Sequence, residues 1–306
     1  MSKTILTVVI CTRDRGPMLA DGVRAILAME LPPHELLVID QSKDDLTENA
    51  LRETAGDDPR VRYHRVQTVG LSAGRNAGWQ LARGEVVAYT DDDCVVSSGW
   101  LAALSEELQD PSISAVFGRL LPHGEPARTG HETGFKPASE RKVYSGNAPP
   151  WHVGHGGNMA FRRKDLEEVG GFDPLLGAGG ALLSGEDSDI IYRLLAARKR
   201  VVYSPNALCW HKQWKPWPEQ RRMERAYARG AGAQFAKYLR CGDLRGLQLF
   251  HVWMWELGVR RLAAGLFKWR SAKVMYLGYC QFLYPWLGVL ASLRYRVDRK
   301  RKTYVP

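Results

Sequence analysis

The sequence predicts an α/β protein: a mostly parallel sheet flanked by helices, followed by a basic helical C-terminal region. Three observations carry this. Apolar, strand-like runs recur at 5–11, 35–40 and 85–89. Segments with apolar residues at helical spacing lie between them, which favours parallel strands joined by crossover helices. After Cys209 the texture changes to tryptophan and basic residues.

The elements follow in order. Ile5 to Cys11 reads as a buried first strand and Arg13 to Pro17 as a polar turn. A helix over 17–30 carries Leu19, Val23, Ile26 and Leu27 on one face. A second strand ends in Asp40, 45–55 is helical, and 61–64 is a short strand. The spacing predicts a helix over 72–83 and a third strong strand over 85–89, which runs into Asp91-Asp92-Asp93. A helix at 100–109 precedes a long irregular stretch over 122–157, rich in Gly, Pro and His. Residues 158–161 form a strand, 164–169 a helical turn, and 186–197 an amphipathic helix. Four glycines in 177–185 imply tight turns, and 201–203 is another strand. Basic helices are expected over 219–238 and 247–268. Residues 274–293 carry no formal charge but include Gln281 and Pro285.

Charge is unevenly placed. Residues 1–190 have a balance of −9 and residues 191–306 one of +19, with seven of the ten tryptophans in the second part. Basic charge with interfacial aromatics suits an anionic membrane surface. A surface-lying or re-entrant helix is the expected form of 274–293. In the alternative, a soluble helical subdomain, Leu283, Trp286, Leu287 and Leu290 pack against the rest of the protein. The five cysteines form no CxxC pair, which argues for a reducing compartment. A cytoplasmic location, peripheral at the cytosolic face of a membrane, follows as an expectation.

Ligands of open α/β sheets collect at the carboxyl ends of strands. Asp40 and Asp91–Asp93 both fall there. Adjacent carboxylates raise one another's pKa unless cations or hydrogen bonds relieve them, and oxygen ligands suit Mg²⁺ or Mn²⁺. An acidic turn capping the next helix is the plainer alternative. Glu186-Asp187, with Asp189, opens a helix after the glycine-rich segment. These acids either cap that helix or take a proton from a nucleophile. His211 either completes a metal shell with Asp93 or packs among aromatics. Arg75 neutralises phosphate, holds Asp93 in place, or is a surface arginine. No GxxxxGK[ST] or GxGxxG loop follows the first strand.

In that order the motifs resemble the family 2 glycosyltransferases. They are Val8 to Arg15, Leu37 to Asp40, Gly70 to Gly78, Asp91 to Asp93, Gly156 to Phe161, Gly170 to Asp173, Gly185 to Asp189 and Trp210-His211. The resemblance covers about residues 4–212. It implies a GT-A fold over 1–212, with 213–306 as a basic, Trp-rich region for acceptor and membrane association. It also implies inverting transfer of one sugar from a nucleoside-diphosphate sugar to a glycan or lipid-linked acceptor, with Mn²⁺ or Mg²⁺ as cofactor. Thr12 and Arg13 would line the nucleotide pocket with Arg75 and Asp92, Asp40 would bind the base, and Asp91 would meet the ribose. Asp93 and His211 would hold the metal, Glu186 would position the acceptor, and Asp187 would be the catalytic base. The QxxRW signature of processive synthases is replaced by Gln213-Trp214-Lys215-Pro216-Trp217, so a non-processive transferase is expected. A metal-dependent nucleotidyltransferase and a non-enzymatic membrane- or nucleic-acid-binding module are the alternatives. The second leaves both acidic clusters unexplained, and no nucleic-acid partner is expected.

Overall fold

The structure, a computed structural model, describes residues 5–124, 131–132, 135–212 and 214–305. Gln213 and parts of the 122–157 stretch lie outside the described residues. In chain order the N-terminal elements are β1 (Leu6–Thr12), α1 (Ala20–Leu27), β2 (Glu35–Asp40), α2 (Leu46–Ala55), β3 (Val61–Arg65), α3 (Leu71–Leu81), β4 (Val86–Asp91) and β5 (Cys94–Val96). Then come α4 (Trp100–Glu107), β6 (Ile113–Pro122), β7 (His131–Glu132), β8 (Lys142–Tyr144), β9 (Asn158–Arg162), α5 (Arg163–Glu168), α6 (Glu186–Ala196) and β10 (Arg200–His211). The C-terminal region holds β11 (Trp214–Lys215), α7 (Trp217–Arg240), α8 (Arg245–Trp253), α9 (Arg260–Ala263), α10 (Ala272–Ser292), β12 (Arg296–Asp298) and β13 (Thr303–Val305).

The main sheet has the order β3-β2-β1-β4-β9-β6-β10-β5, with β8 also on β10. β3, β2, β1 and β4 run parallel. β9 enters antiparallel between β4 and β6, and β10 lies parallel to β6. Six strands therefore share one direction, against β5, β8 and β9, which agrees with the expected mostly parallel sheet. Both faces are covered. Val8 and Ile10 face a core with Leu19, Val23, Ile26 and Trp100. Val9 faces another with Leu37, Tyr89, Phe161 and Phe172. Burial on both faces explains why β1 and β2 read as unbroken apolar runs.

Two strands exceed the sequence expectation. β6 fills the gap between the helix at 100–109 and the irregular stretch. β10 continues beyond Tyr203 through a register shift between Ser204 and Leu208, and so carries His211 to the edge of the sheet where β1 and β4 end. The expected helix over 247–268 is one helical run interrupted by two π-helical segments, Met254–Val259 and Ala264–Lys268.

α10 packs along α7. A Cβ at Gly288 would stand 1.9 Å from the Arg229 carbonyl oxygen, so only glycine permits this approach. The opposite face is bare: Trp286 is 50% exposed and Leu290 65%, with Leu283 and Leu287 also exposed. The four residues that a soluble subdomain would bury are thus each more than a third exposed, with Trp286 also packing edge-on against Phe250.

Candidate active site

Three parallel strands deliver the site from their carboxyl ends: Thr12 from β1, Asp91 from β4 and His211 from β10. They open onto a cavity of about 810 Å³. Its lining joins both regions of the chain, with Asp91, Asp93 and Asp187 on one side and Tyr227, Trp253 and Arg261 on the other.

β4 ends at Asp91, where the chain turns. Each carboxylate then takes a different partner. Asp91 Oδ1 accepts from Arg75 Nη2 at 3.1 Å. Asp92 Oδ2 accepts from Thr12 Oγ1 at 2.7 Å, and its Oδ1 pairs with Arg15 Nη1 at 2.9 Å. Asp93 Oδ2 lies 2.7 Å from Arg15 Nη2, and its Oδ1 lies 3.1 Å from His211 Nε2. Burial pushes the Asp92 carboxyl up to about 6. Burial acts the same way on Asp93, but the His211 and Arg15 contacts outweigh it and hold that carboxyl well below the usual range.

Arg75 is only 2% exposed in its side chain. It bridges Asp91 to Glu186, with Nη1 2.9 Å from Glu186 Oε1, and donates to the Gly156 carbonyl at 3.0 Å. Its partners are therefore Asp91 and Glu186; the residue that holds Asp93 is Arg15, a correction to the expectation from spacing. Burial, then the neighbouring Asp187 charge, pushes the Glu186 carboxyl up to about 7.

Glu186 and Asp187 open α6 after Gly185, whose left-handed φ of 94° turns the chain into the helix. Asp187 Oδ2 accepts from the Gly156 N–H at 3.0 Å and its Oδ1 from the Ser188 N–H at 2.7 Å. Asp189 points away from the cavity into a buried ion cluster with Arg193 and Lys237.

Asp40 is fully buried and outside the cavity lining, where its neighbour Gln41 stands instead. Its oxygens accept from the Tyr63 hydroxyl and the Ser42 N–H, both at 2.8 Å. Arg13 lines the cavity and pairs with Asp14 at 3.4 Å. Arg15, Lys136, His155 and Tyr227 also line it and were missed as site residues. The Val8 to Arg15 motif, which ends on Arg15, and the glycine-rich run Gly154-His155-Gly156-Gly157 before a strand were the signals in the sequence.

Asp91, Asp93, Cys94 and His211 place one ligand atom each within 4.8 Å of one another. His211 Nδ1 is buried with no hydrogen-bond partner among the described residues. Two carboxylates and an imidazole suit Mn²⁺. Burial drives the Cys94 thiol well above its ordinary pKa, so it stays protonated and is the poorest of the four donors. The residues present fit a divalent cation.

The family model for Glycosyl transferase family 2 matches residues 7–170, more than half of the chain. The chain belongs to the family 2 glycosyltransferases. It is 24% identical over 215 residues to a glucosyl-dolichyl phosphate glucuronosyltransferase of Haloferax volcanii, covering 68% of this chain and 69% of that one. It is 27% identical over 226 residues to the succinoglycan biosynthesis protein ExoM of Rhizobium meliloti, covering 69% of this chain and 67% of that one. A mannosyltransferase of Pyrobaculum calidifontis, solved with GDP-Man and Mn²⁺, superposes with a TM-score of 0.65 at 19% identity. The match covers 96% of this chain and 88% of that one. This likeness shows that the glycosyltransferase has the GT-A fold. Family membership also sets aside the nucleotidyltransferase and non-enzymatic alternatives.

Proposed function

We propose that this glycosyltransferase moves one sugar, with inversion, from a nucleoside-diphosphate sugar to the hydroxyl of a lipid-linked acceptor at a membrane surface. The observation that carries the reading is the shared cavity, which sets the Asp91–Asp93–His211 cluster beside Asp187 and Glu186.

Asp93 and His211, with Asp91, are the proposed metal-holding residues, and bound Mn²⁺ or Mg²⁺ would offset charge on the departing diphosphate. Thr12, Arg13 and Asp92 flank the nucleotide. Asp40 would recognise the base if the Tyr63 hydroxyl yields its place to a ring N–H. Arg75 fixes Asp91 and Glu186 relative to each other and so ties the donor side to the acceptor side. Asp187 takes the proton of the acceptor hydroxyl as that oxygen bonds to the anomeric carbon. The sugar–phosphate C–O bond breaks on the opposite face, and nucleoside diphosphate leaves with the electron pair. A general base of this kind contributes roughly 10²–10⁴ in rate. Glu186 holds the acceptor, and the bulk of Trp151 and Tyr227 along the cavity helps exclude water.

The acceptor class draws support from the C-terminal region. Leu244, Leu247, Trp255, Leu266, Phe267 and Trp269 are exposed. α10 is the one described helix long and apolar enough to cross a membrane, and only 28% of its most apolar stretch is buried. The net charge of +19 over residues 191–306 complements anionic lipid. With one face of α10 fixed on α7, a helix lying on the surface accounts for the bare face better than a span. The name of the Haloferax relative contains a dolichyl phosphate acceptor. We place the boundary between catalytic and acceptor regions at 212, and the protein at a cytosolic membrane face.

A screen of uridine- and guanosine-diphosphate sugars with prenyl-phosphate-linked saccharides in liposomes tests the reading. Release of nucleoside diphosphate with an inverted linkage in the product is expected. Retention of configuration, or release of pyrophosphate, would overturn it.

A further inference from the structure

Two arginines face the acidic cluster, and their settings differ. Arg75 is buried and held by Asp91, Glu186 and the Gly156 carbonyl. Arg15 sits in the turn after β1, just past Asp14 with its positive φ of 56°, and its side chain is 37% exposed. Its guanidinium forks across two buried carboxylates, 2.9 Å from Asp92 and 2.7 Å from Asp93, and also reaches Met18 Sδ at 2.7 Å.

Arg15 bonds one Asp93 oxygen, and His211 Nε2 lies 3.1 Å from the other. Any cation that binds Asp93 competes with one of these contacts. His211 belongs to the same ligand cluster, whereas Arg15 is a like charge. A guanidinium stays protonated at all ordinary pH, so it cannot relieve the conflict by losing its proton. It has to move. The exposed end of Arg15 lines the cavity, and a partly exposed side chain changes rotamer quickly.

We infer that Arg15 is the built-in counterion of the metal site, exchanging Asp93 for the donor's diphosphate when metal and nucleotide bind. The inference rests on the donor and metal reading above. In the metal-free protein, Arg15 offsets the repulsion of Asp92 and Asp93. When a divalent cation takes over that role, Arg15 swings into the cavity, where a diphosphate offers it a bidentate partner. Metal alone binds against the Arg15 contact. Metal with nucleoside diphosphate binds without that penalty, because Arg15 gains a new partner. Arg15 thereby couples the two ligands, and the coupling is reciprocal.

The test is calorimetric and spectroscopic. Mn²⁺ binding is titrated by electron paramagnetic resonance on the full chain, without and with UDP or GDP. Nucleoside diphosphate binding at saturating Mn²⁺ is titrated by calorimetry. Wild type, Arg15→Gln and Arg15→Lys are compared, with near-ultraviolet circular dichroism as the folding control. Arg15→Gln is expected to bind Mn²⁺ alone about tenfold tighter than wild type, and nucleoside diphosphate with Mn²⁺ about tenfold more weakly, a coupling of ordinary size. Arg15→Lys keeps the charge but loses the fork, so both shifts should be smaller and of the same sign; it decides the matter if Arg15→Gln does not fold. Mn²⁺ affinity that is unchanged or weaker in the variants overturns the competition, and unchanged nucleoside diphosphate affinity overturns the exchange. Absence of Mn²⁺ binding to wild type, with and without nucleoside diphosphate, is a different result: it removes the metal reading, and the inference with it.

Discussion

Lys237 Nζ lies 2.6 Å from Asp189 Oδ1, with both side chains fully buried. The same ammonium lies 2.6 Å from Asp173 Oδ2. Asp189 also pairs with Arg193 and accepts from the Tyr238 hydroxyl, and Asp173 accepts from the Tyr304 N–H. One buried ion cluster thus pins α7 and the C-terminal strand β13 to α6, two residues beyond Asp187. The C-terminal region is built onto the helix that carries Glu186 and Asp187.

Replacing Lys237 with Met leaves two buried carboxylates with less compensation. Breaking a buried pair in this way costs about 3–5 kcal/mol. Urea unfolding should show a loss of that size, and turnover should fall as α6 loosens. A loss below about 1 kcal/mol would mean that Arg193 and Tyr238 suffice to hold Asp189.

Glu186 gives a pH signature. Its carboxyl sits at about 7 in the folded protein against 4.5 for an unperturbed group, chiefly through burial. Between these values the folded state holds a proton that the unfolded state has lost. Stability contributed by this group is complete below about pH 4.5, declines as pH rises, and levels off near 7. The window corresponds to roughly 3 kcal/mol. In chelator, the Glu186→Gln variant should therefore gain stability relative to wild type by about that amount between pH 4.5 and 7. Parallel stability curves for the two proteins would contradict the placement of Glu186.

Much of this was legible in sequence because it is local. Strand ends at Asp91 and Glu186-Asp187 at a helix start follow from hydrophobic period and turn residues. What was hidden depends on tertiary pairing. Arg15 in a polar turn looks solvated until the sheet brings Asp92 and Asp93 across from β4. Lys237 looks like one more charge on a basic helix, yet it is fully buried. The β6 segment Ile113 to Pro122 is central in the sheet, so it shows no alternation. The reach of β10 to His211 depends on an irregularity after Ser204 that periodicity does not announce. Asp40 sits at the expected strand end, but Tyr63 on the next strand claims its carboxylate.

Membrane binding should depend on the exposed apolar residues Leu266, Phe267 and Trp269, which precede α10. The β13 contact with Asp173 makes truncation of the C-terminal region unsuitable, so substitutions are the better probe. Leu266, Phe267 and Trp269 changed together to Ser should abolish flotation with anionic liposomes while thermal stability stays near that of wild type. Flotation of wild type should weaken in neutral liposomes and at high salt. Equal flotation of wild type and variant would place the contact elsewhere.

Asp187→Asn keeps the size of the side chain and removes the proton acceptor. Turnover should drop by about 10²–10⁴, while calorimetry with Mn²⁺ and nucleoside diphosphate shows binding close to wild type. Near-normal turnover would transfer the role of base to another group, with Glu186 next in line.

The central claim is that Asp93 and His211 assemble a metal site on which sugar transfer depends. Transfer from the nucleotide sugar that the screen identifies is measured in chelator, then after adding Mn²⁺, for wild type and Asp93→Ala. Wild type should lose activity in chelator and recover it with Mn²⁺, while Asp93→Ala stays inactive in both and binds nucleoside diphosphate weakly. Full activity of wild type in chelator would contradict the account.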